Sequence, residues 1–350
     1  MATRNGPVSI KDVAQASGVS ITTVSFIING KDKNISEKTI EKVKSTCKEL
    51  GYEPDRIAAS LKTRKTKTIG YITPNIQNPF FSEIAKETET IIAKCGYSII
   101  IANSDDKFEK DRNSIITLAS RRVDFIVYAP AVESLTNGNV ANISKVLDNT
   151  GIPYVIVDRQ LLGNLKSKVV CDDQDGGFRA VEHLIENGHR RIACVTGPMN
   201  ISSAQNRFIG YKAALEKNGI AFDNSIVFHG NFSYESGIEV ADELLKAPGI
   251  TAVFISNDLM AYGITKVMKE KGLQVGEDLS LVGYDNLFYS EILDVPLTSM
   301  NQDTKGLAQI IGTHILDVLE HGKPSVIKEV VKSTLVERKS VKCLKGAENA

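Results

Sequence analysis

Apolar residues in the first fifty positions recur at helical spacing, and after position 68 the pattern changes to short continuous apolar runs. Ile10, Val13 and Ala14 form one stripe, and Val24, Ile27 and Ile28 form a second. Gly18 stands between them, where a left-handed residue ends a helix cheaply. Ser20 then serves as N-cap of a second helix, whose polar face holds Thr22, Thr23, Ser25 and Asn29. Small Ala14 lets the two helices cross closely. This pattern predicts a helix-turn-helix, the arrangement that places a second helix in a DNA major groove. A third helix is predicted from the Ser36 cap, with Thr39 in its first turn, to about Leu50; Ile40, Val43 and either Cys47 or Leu50 face inward. The headpiece, residues 1–52, closes at Gly51-Tyr52.

Residues 53–68 read as a hinge. Pro54 holds Glu53 out of helical geometry and itself suits a helix start. The helix that follows is barely two turns, too short to persist alone in water, and it gives way to a basic linker, 62–68. Such a segment can order on binding, paired with its copy in a dimer. Ala58 and Ala59 allow close helix approach, and Leu61 is a wedge for a minor-groove base step.

Beyond position 68, apolar β-branched runs at 69–73, 97–102, 125–128 and 154–157 alternate with amphipathic stretches such as 84–94 and 110–121. A second series has strands at 191–195, 226–228, 252–255 and 279–284, with helices such as 207–218 and 234–246. Two βαβ series predict two doubly wound lobes with parallel sheets, whose ligands sit outside the carboxyl ends of the strands.

Length adds that 350 residues suit two or three domains. Hydrophobic content of 42% with 24% charged residues is that of an ordinary soluble chain. No apolar run is long enough to span a membrane, and the polar start does not resemble a signal peptide, so a cytoplasmic location is expected. Cys47, Cys95, Cys171, Cys194 and Cys343 are scattered, without C-x-x-C spacing; they read as reduced thiols, with no disulfide, zinc site or cofactor indicated. Charge is uneven: residues 1–68 carry +6 and the remainder −6. A basic head on an acidic body fits a domain that meets phosphate.

The chain as a whole resembles transcription regulators of the LacI/GalR family. The head carries Asp12-Val13-Ala14, Gly18-Val19-Ser20, Thr23-Val24-Ser25 and Asn29; the hinge carries Leu50-Gly51-Tyr52-x-Pro54 and Ala58-x-x-Leu61. The body begins with Thr68-Ile69-Gly70 and carries Asn78-Pro79-Phe80-Phe81, Val157-Asp158-Arg159, Gly188-His189-Arg190-Arg191-Ile192-Ala193, Ser256-Asn257-Asp258 and Val282-Gly283-Tyr284-Asp285. The resemblance implies a homodimeric operator-binding protein with a body similar to periplasmic sugar-binding proteins. That body, 69–340, is expected to divide into an N-lobe (69–163 plus 297–324) and a C-lobe (164–296 plus 325–338), with a mobile tail after about Arg338, 341–350 at its end.

One position departs from the family pattern. Phe26 follows Thr-Val-Ser where the family usually has Arg, which can bond guanine bidentately; Phe can only touch a thymine methyl. Ile21 and Thr22 are then the base-facing side chains, whereas Ser20, Thr23, Ser25, Asn29, Ser36 and Thr39 read as phosphate contacts that position without specifying.

The predicted strand ends carry a second constellation. Asn78, Phe80 and Phe81 follow the first strand, Asp158 and Arg159 the fourth, and Arg207 begins a helix. Phe232, Asn257, Asp285 and Gln302 flank later strands. Phenyl faces stack on the apolar faces of a sugar ring while Asp, Asn, Arg and Gln meet its hydroxyls, and such a pocket rejects analogues that leave buried groups unpaired. The set resembles a ribose-binding type of site, so the expected effector is ribose or a related pentose or furanose. The alternative is a global carbon-catabolite regulator controlled by a phosphorylated carrier protein. An enzyme is disfavoured, because G-x-G-x-x-G after a strand, P-loop and G-x-S-x-G motifs are all missing.

Overall fold

The computed structural model describes residues 8–28, 30, 32, 34–53, 65–136, 138–161, 166–323 and 326–345. Two compact units divide between Thr66 and Lys67.

Among its described residues the first unit holds three helices: α1 (Ile10–Ser17), α2 (Ile21–Ile28) and α3 (Glu37–Leu50). Gly18 ends α1 at φ +68° and returns its N–H to the Ala14 carbonyl, which fixes the tight turn before α2. Val13, Ala14, Val24, Ile27 and Val43 form the core, with Ile10, Ile28, Ile40 and Cys47 packed around it. Cys47, not Leu50, is the inward residue at the end of α3; Leu50 is exposed.

The second unit contains two six-stranded sheets. The first combines β1 (Thr68–Thr73), β2 (Ser98–Asn103), β3 (Phe125–Tyr128), β4 (Tyr154–Val157), β5 (Ser167–Cys171) and β11 (Lys328–Val331), in the order β11-β5-β4-β3-β1-β2 and parallel throughout. The second combines β6 (Ile192–Thr196), β7 (Val227–His229), β8 (Ala252–Ile255), β9 (Ser280–Asp285), β10 (Thr298–Asn301) and β12 (Thr334–Val336), in the order β12-β10-β9-β8-β6-β7. Among the described residues only the β10–β12 pair there is antiparallel.

Helices cover both faces: α4 (Pro79–Ile92), α5 (Phe108–Ser120) and α6 (Asn139–Thr150) follow strands of the first sheet. Next come α7 (Asp173–Glu186), α8 (Ser202–Lys217), α9 (Tyr234–Lys246), α10 (Asp258–Glu270), the single turn α11 (Tyr289–Ile292) and α12 (Thr304–Leu319). Along β1, Ile69 and Tyr71 enter one core cluster and Ile72 the opposite one, which is why the strand reads as an unbroken apolar run. Parallel strands also deliver several helix N-termini to one side. There Asn78 caps α4 through the Phe80 N–H (3.1 Å), Asn257 caps α10 through the Met260 N–H (3.0 Å), and Asp303 caps α12 through the Gly306 N–H (3.0 Å).

The lobe boundaries differ from those expected at 163, 296 and 324. Strand β5 pairs with β4, so the chain stays in the N-lobe until after Cys171. Strand β10 pairs with β9, so the return comes after Asn301, and the last crossing lies between β11 and β12. Breaks such as Pro296 mark loops rather than lobe changes, and Lys328-Glu329 gave β11 no apolar signature. The expected mobile tail is also corrected as far as it is described. Ser340 is buried and donates to the Leu281 carbonyl (2.6 Å), Lys342 offers its carbonyl to His189 Nε2 (3.0 Å), and the Leu344 N–H reaches the Asn187 carbonyl (2.7 Å). Residues 338–345 are therefore held on the C-lobe by backbone and side-chain hydrogen bonds whose partners lie far away in sequence. Arg207 does not begin a helix; α8 starts at Ser202, because its polar first turn carries no apolar stripe.

Candidate effector site and nucleic-acid interface

The α2 surface is built as its sequence requires. Ser20 Oγ accepts the Thr23 N–H (3.0 Å) and bonds Thr23 Oγ1 (2.8 Å). Ser36 and Thr39 repeat the arrangement at the start of α3, at 3.3 Å and 2.8 Å. Two of the expected phosphate-contacting side chains, Ser20 and Ser36, thus cap helices, and Thr23 and Thr39 bond to those caps; a helix N-terminus has the polarity that favours anions. Ser25 is half-buried and Thr22 exposed. Ile21 and Phe26 are 44% and 46% exposed, unusual for large apolar side chains without a partner. Asn29, Ala58 and Leu61 lie outside the described residues. Replacing Phe26 by arginine is expected to change the preferred operator rather than only weaken binding. Selection on random DNA that returned one and the same site for both proteins would contradict this.

In the body, one cleft between the two sheets gathers all ten residues of the second constellation. From the N-lobe come Asn78, Phe80 and Phe81 at the start of α4, and Asp158 and Arg159 just past β4. The C-lobe supplies Arg207 on α8, Phe232 before α9, Asn257 before α10 and Asp285 at the end of β9. Gln302 sits where the chain crosses between lobes. Asp158, Phe232 and Asp285 all have positive φ (+63°, +70° and +106°), a strain that functional sites characteristically hold.

Arg207 is the electrostatic centre. Its Nε donates to Asp173 (2.8 Å), its Nη1 donates to the Ser256 carbonyl (2.7 Å), and Nη1 lies 3.7 Å from Asp285. The guanidinium stacks 3.8 Å from the Tyr284 ring centroid. Arg159 donates to Asp106 and to the Pro130 carbonyl (2.9 Å) and lies 3.8 Å from Asp158. Gln302 Nε2 donates to Asp285, while Gln302 Oε1 is buried with no partner. Burial pushes Asp158 and Asp285 above the usual carboxylate range, with Arg207 pulling each back, and holds Asp173 at about 7.

The two asparagines differ in what they leave over. Asn257 spends both ends of its amide, on the Met260 N–H and on the Phe232 carbonyl (2.9 Å), so it positions the Phe232 ring. Asn78 spends only its oxygen and keeps its NH₂ available. Four contributors escaped the sequence reading. Ser203 lines the cleft, Asp173 and Tyr284 hold Arg207, and Asp106 holds Arg159. Asp173 sits in an acidic helix start that reads as simple capping, and Asp106 in a loop whose geometry only the fold reveals. The Gln160 N–H to Ser202 Oγ (3.0 Å) and Asn200 Nδ2 to Val132 carbonyl (3.1 Å) bonds join the lobes directly.

The pattern of bacterial regulatory proteins of the lacI family matches residues 9–55, and that of the periplasmic binding protein-like domain matches 181–341. The HTH-type transcriptional repressor PurR of Vibrio atlanticus (strain LGP32) is 34% identical over 96% of this chain and 99% of the relative. The chain belongs to the LacI family.

It is accordingly a DNA-binding transcriptional regulator with a two-lobed effector domain, and not an enzyme. Among solved LacI-family structures, the lac repressor dimer bound to operator and the anti-inducer ONPF superposes with a TM-score of 0.83 at 28% identity, covering 96% of this chain and all of that one (100%). A LacI-family regulator from Enterococcus faecium with bound ribose gives a TM-score of 0.71 at 29% identity, over 79% of this chain and 100% of that one. Among the described residues no helix is long and apolar enough to cross a membrane.

Proposed function

We propose that this LacI-family regulator is a homodimeric repressor of sugar-catabolic genes, controlled by a small sugar, ribose or a related pentose or furanose, bound between its lobes. The observation that carries the proposal is the cleft's composition. Three phenyl rings, Phe80, Phe81 and Phe232, stand with Asp158, Arg159, Arg207, Asp285 and the unpartnered Gln302 Oε1. Rings accept the apolar faces of a sugar, and an orphan buried acceptor calls for a hydroxyl donor.

The similarity to a ribose-bound structure supports the same reading, and the similarity to relatives named PurR raises a purine as the competing effector. A thermal-shift screen separates them, since a ligand that binds only the folded form raises the melting temperature. A shift with a pentose supports the proposal; a shift confined to purine bases replaces the sugar by a purine. Silence from both favours control by a protein partner.

Ligand closure is the coupling step. The inter-lobe bonds of Gln160 and Asn200 give the closed form a defined geometry, and ligand adds contacts on both sides of it. A change of lobe orientation within a dimer alters the spacing of the two headpieces, a two-state element that operator and effector can both bias. The exposed apolar cluster of Phe288, Tyr289 and Ile292 in the C-lobe, and Ile101 on edge strand β2 with Ile116 on α5 in the N-lobe, supply surface for a second copy.

Effector binding is expected to strengthen with pH. Hydroxyl donors favour ionised carboxylates, so a sugar that bonds Asp158 and Asp285 drives proton release, worth up to about tenfold in affinity per pH unit for each proton. Without ligand the sign is opposite. The folded chain holds the proton on Asp173 up to about pH 7, whereas the unfolded chain releases it near its ordinary value of 3.8, so that carboxyl's contribution to stability falls across this interval. Calorimetric titrations at pH 6, 7 and 8 check the first statement, and an affinity independent of pH contradicts it.

A further inference from the structure

We infer that the cleft takes an uncharged ligand and excludes its phosphorylated counterpart. The inference rests on the cleft being the effector site, and it adds a charge class to that reading. Phosphate recognition needs a cation with free N–H groups, best an arginine fork engaged bidentately. Each arginine here already spends part of its fork on a carboxylate and a carbonyl, which among the described residues leaves Nη2 of Arg207 and Nε and Nη2 of Arg159 without a hydrogen bond. Asp173 occupies Nε of Arg207, the Ser256 carbonyl occupies Nη1, and Tyr284 covers one face of the guanidinium. Asp106 and the Pro130 carbonyl share Nη1 of Arg159.

The charge balance points the same way. Two cations line the cleft, and four carboxylates stand on or behind them: Asp158, Asp285, Asp173 and Asp106. The first three are buried, where charges are weakly screened. The strongest counter-attraction is the start of α8, which has no side-chain cap and places Ser203 in the cleft. A helix N-terminus offers about half a positive charge, and the Asp158 and Asp285 carboxyls line the same space. The N-termini of α4 and α10 are already capped by Asn78 and Asn257. Neutral hydroxyls suit this surface, donating to the carboxylates and to Gln302 Oε1 and accepting from the Asn78 NH₂; a phosphate dianion adds negative charge to a lining whose cations are already matched by carboxylates.

The test is calorimetric titration of the full chain at pH 7.5 with matched pairs: D-ribose and D-ribose 5-phosphate, D-glucose and D-glucose 6-phosphate, inosine and inosine 5′-monophosphate. The expected result is that an uncharged member binds and its phosphorylated partner binds at least about 100-fold more weakly. Equal or tighter binding of a phosphorylated member, weakened by Gln302→Leu, overturns the charge class and leaves the effector site in place. Binding by no member overturns the effector-site reading and this inference with it. Asp173→Asn supplies a second readout, because it keeps an acceptor at Arg207 Nε while removing one negative charge. It is expected to narrow the discrimination about tenfold, and unchanged discrimination overturns the account.

Discussion

Replacing Arg207 by methionine is expected to abolish effector binding and to destabilise the body more than any other single change in the cleft. The guanidinium is buried among Asp173, Asp285 and Asp158, and it also satisfies the Ser256 carbonyl and packs on Tyr284. Removing one partner of a buried ion pair costs about 3–5 kcal/mol, because the remaining charge keeps its desolvation penalty. Here the carboxylates relax by taking up protons, which burial already favours, so the low end of that range applies near pH 6 and the high end near pH 8. Scanning calorimetry at the two pH values reads this out as a drop of roughly 6 to 15 °C in Tm. The headpiece has its own core, so operator binding is expected to survive at temperatures where the body remains folded. A variant with wild-type Tm and intact effector affinity would remove Arg207 from the centre of the account.

The second large effect is expected at Gly177, where the change is a single methyl group. Helices α7 and α8 cross through a pair of glycines. A Cβ on Gly177 would fall 2.3 Å from the Arg207 carbonyl oxygen and 2.9 Å from its Cα, and one on Gly210 would fall 2.2 Å from the Gln174 carbonyl. In an exposed helix, Gly→Ala gains up to about 1 kcal/mol from propensity. Here the obstacle is backbone rather than a flexible side chain, so α8 must shift, and overpacking of this kind costs about 1–3 kcal/mol. The loss therefore outweighs the gain. Because α8 carries both Ser203 and Arg207 into the cleft, Gly177→Ala is expected to weaken effector binding about tenfold as well as lower Tm. A rise in stability would show that the helices separate without cost.

How far the sequence speaks for the molecule differs from place to place. The headpiece is legible almost residue by residue, since Ile10, Val13, Val24, Ile27 and Val43 face one small core and no distant contact competes with local spacing. The central strands are legible for the same reason that parallel sheets bury both faces. The lobe boundaries were not legible, because β5, β10, β11 and β12 are short strands recognised only by what they pair with, and pairing is non-local. The docked segment 338–345 was hidden likewise, because its backbone groups and the Ser340 hydroxyl meet partners distant in sequence.

The cleft divides along the same line. Side chains at strand ends with distinctive chemistry, such as Asp158, Arg159 and Asp285, could be selected from their motifs. Their supports could not. Asp173 resembles a helix-capping carboxylate until the fold brings Arg207 within 2.8 Å of it, and Tyr284 resembles core until the guanidinium stacks on it. The roles of the two asparagines also needed coordinates, since only hydrogen-bond partners distinguish an amide that is fully engaged from one with a donor to spare.

The central claim is that the cleft binds a small polyhydroxylated ligand through these side chains, and Gln302 offers the sharpest handle on it. Calorimetric titration of D-ribose and related pentoses into the wild-type chain and into Gln302→Leu is the measurement to make. The account predicts saturable one-to-one heat with a pentose in the wild type. It predicts at least a tenfold loss of affinity in the variant, because the orphan Oε1 and the donor to Asp285 disappear together. Equal affinity in the two proteins, or no heat from any pentose, would contradict it.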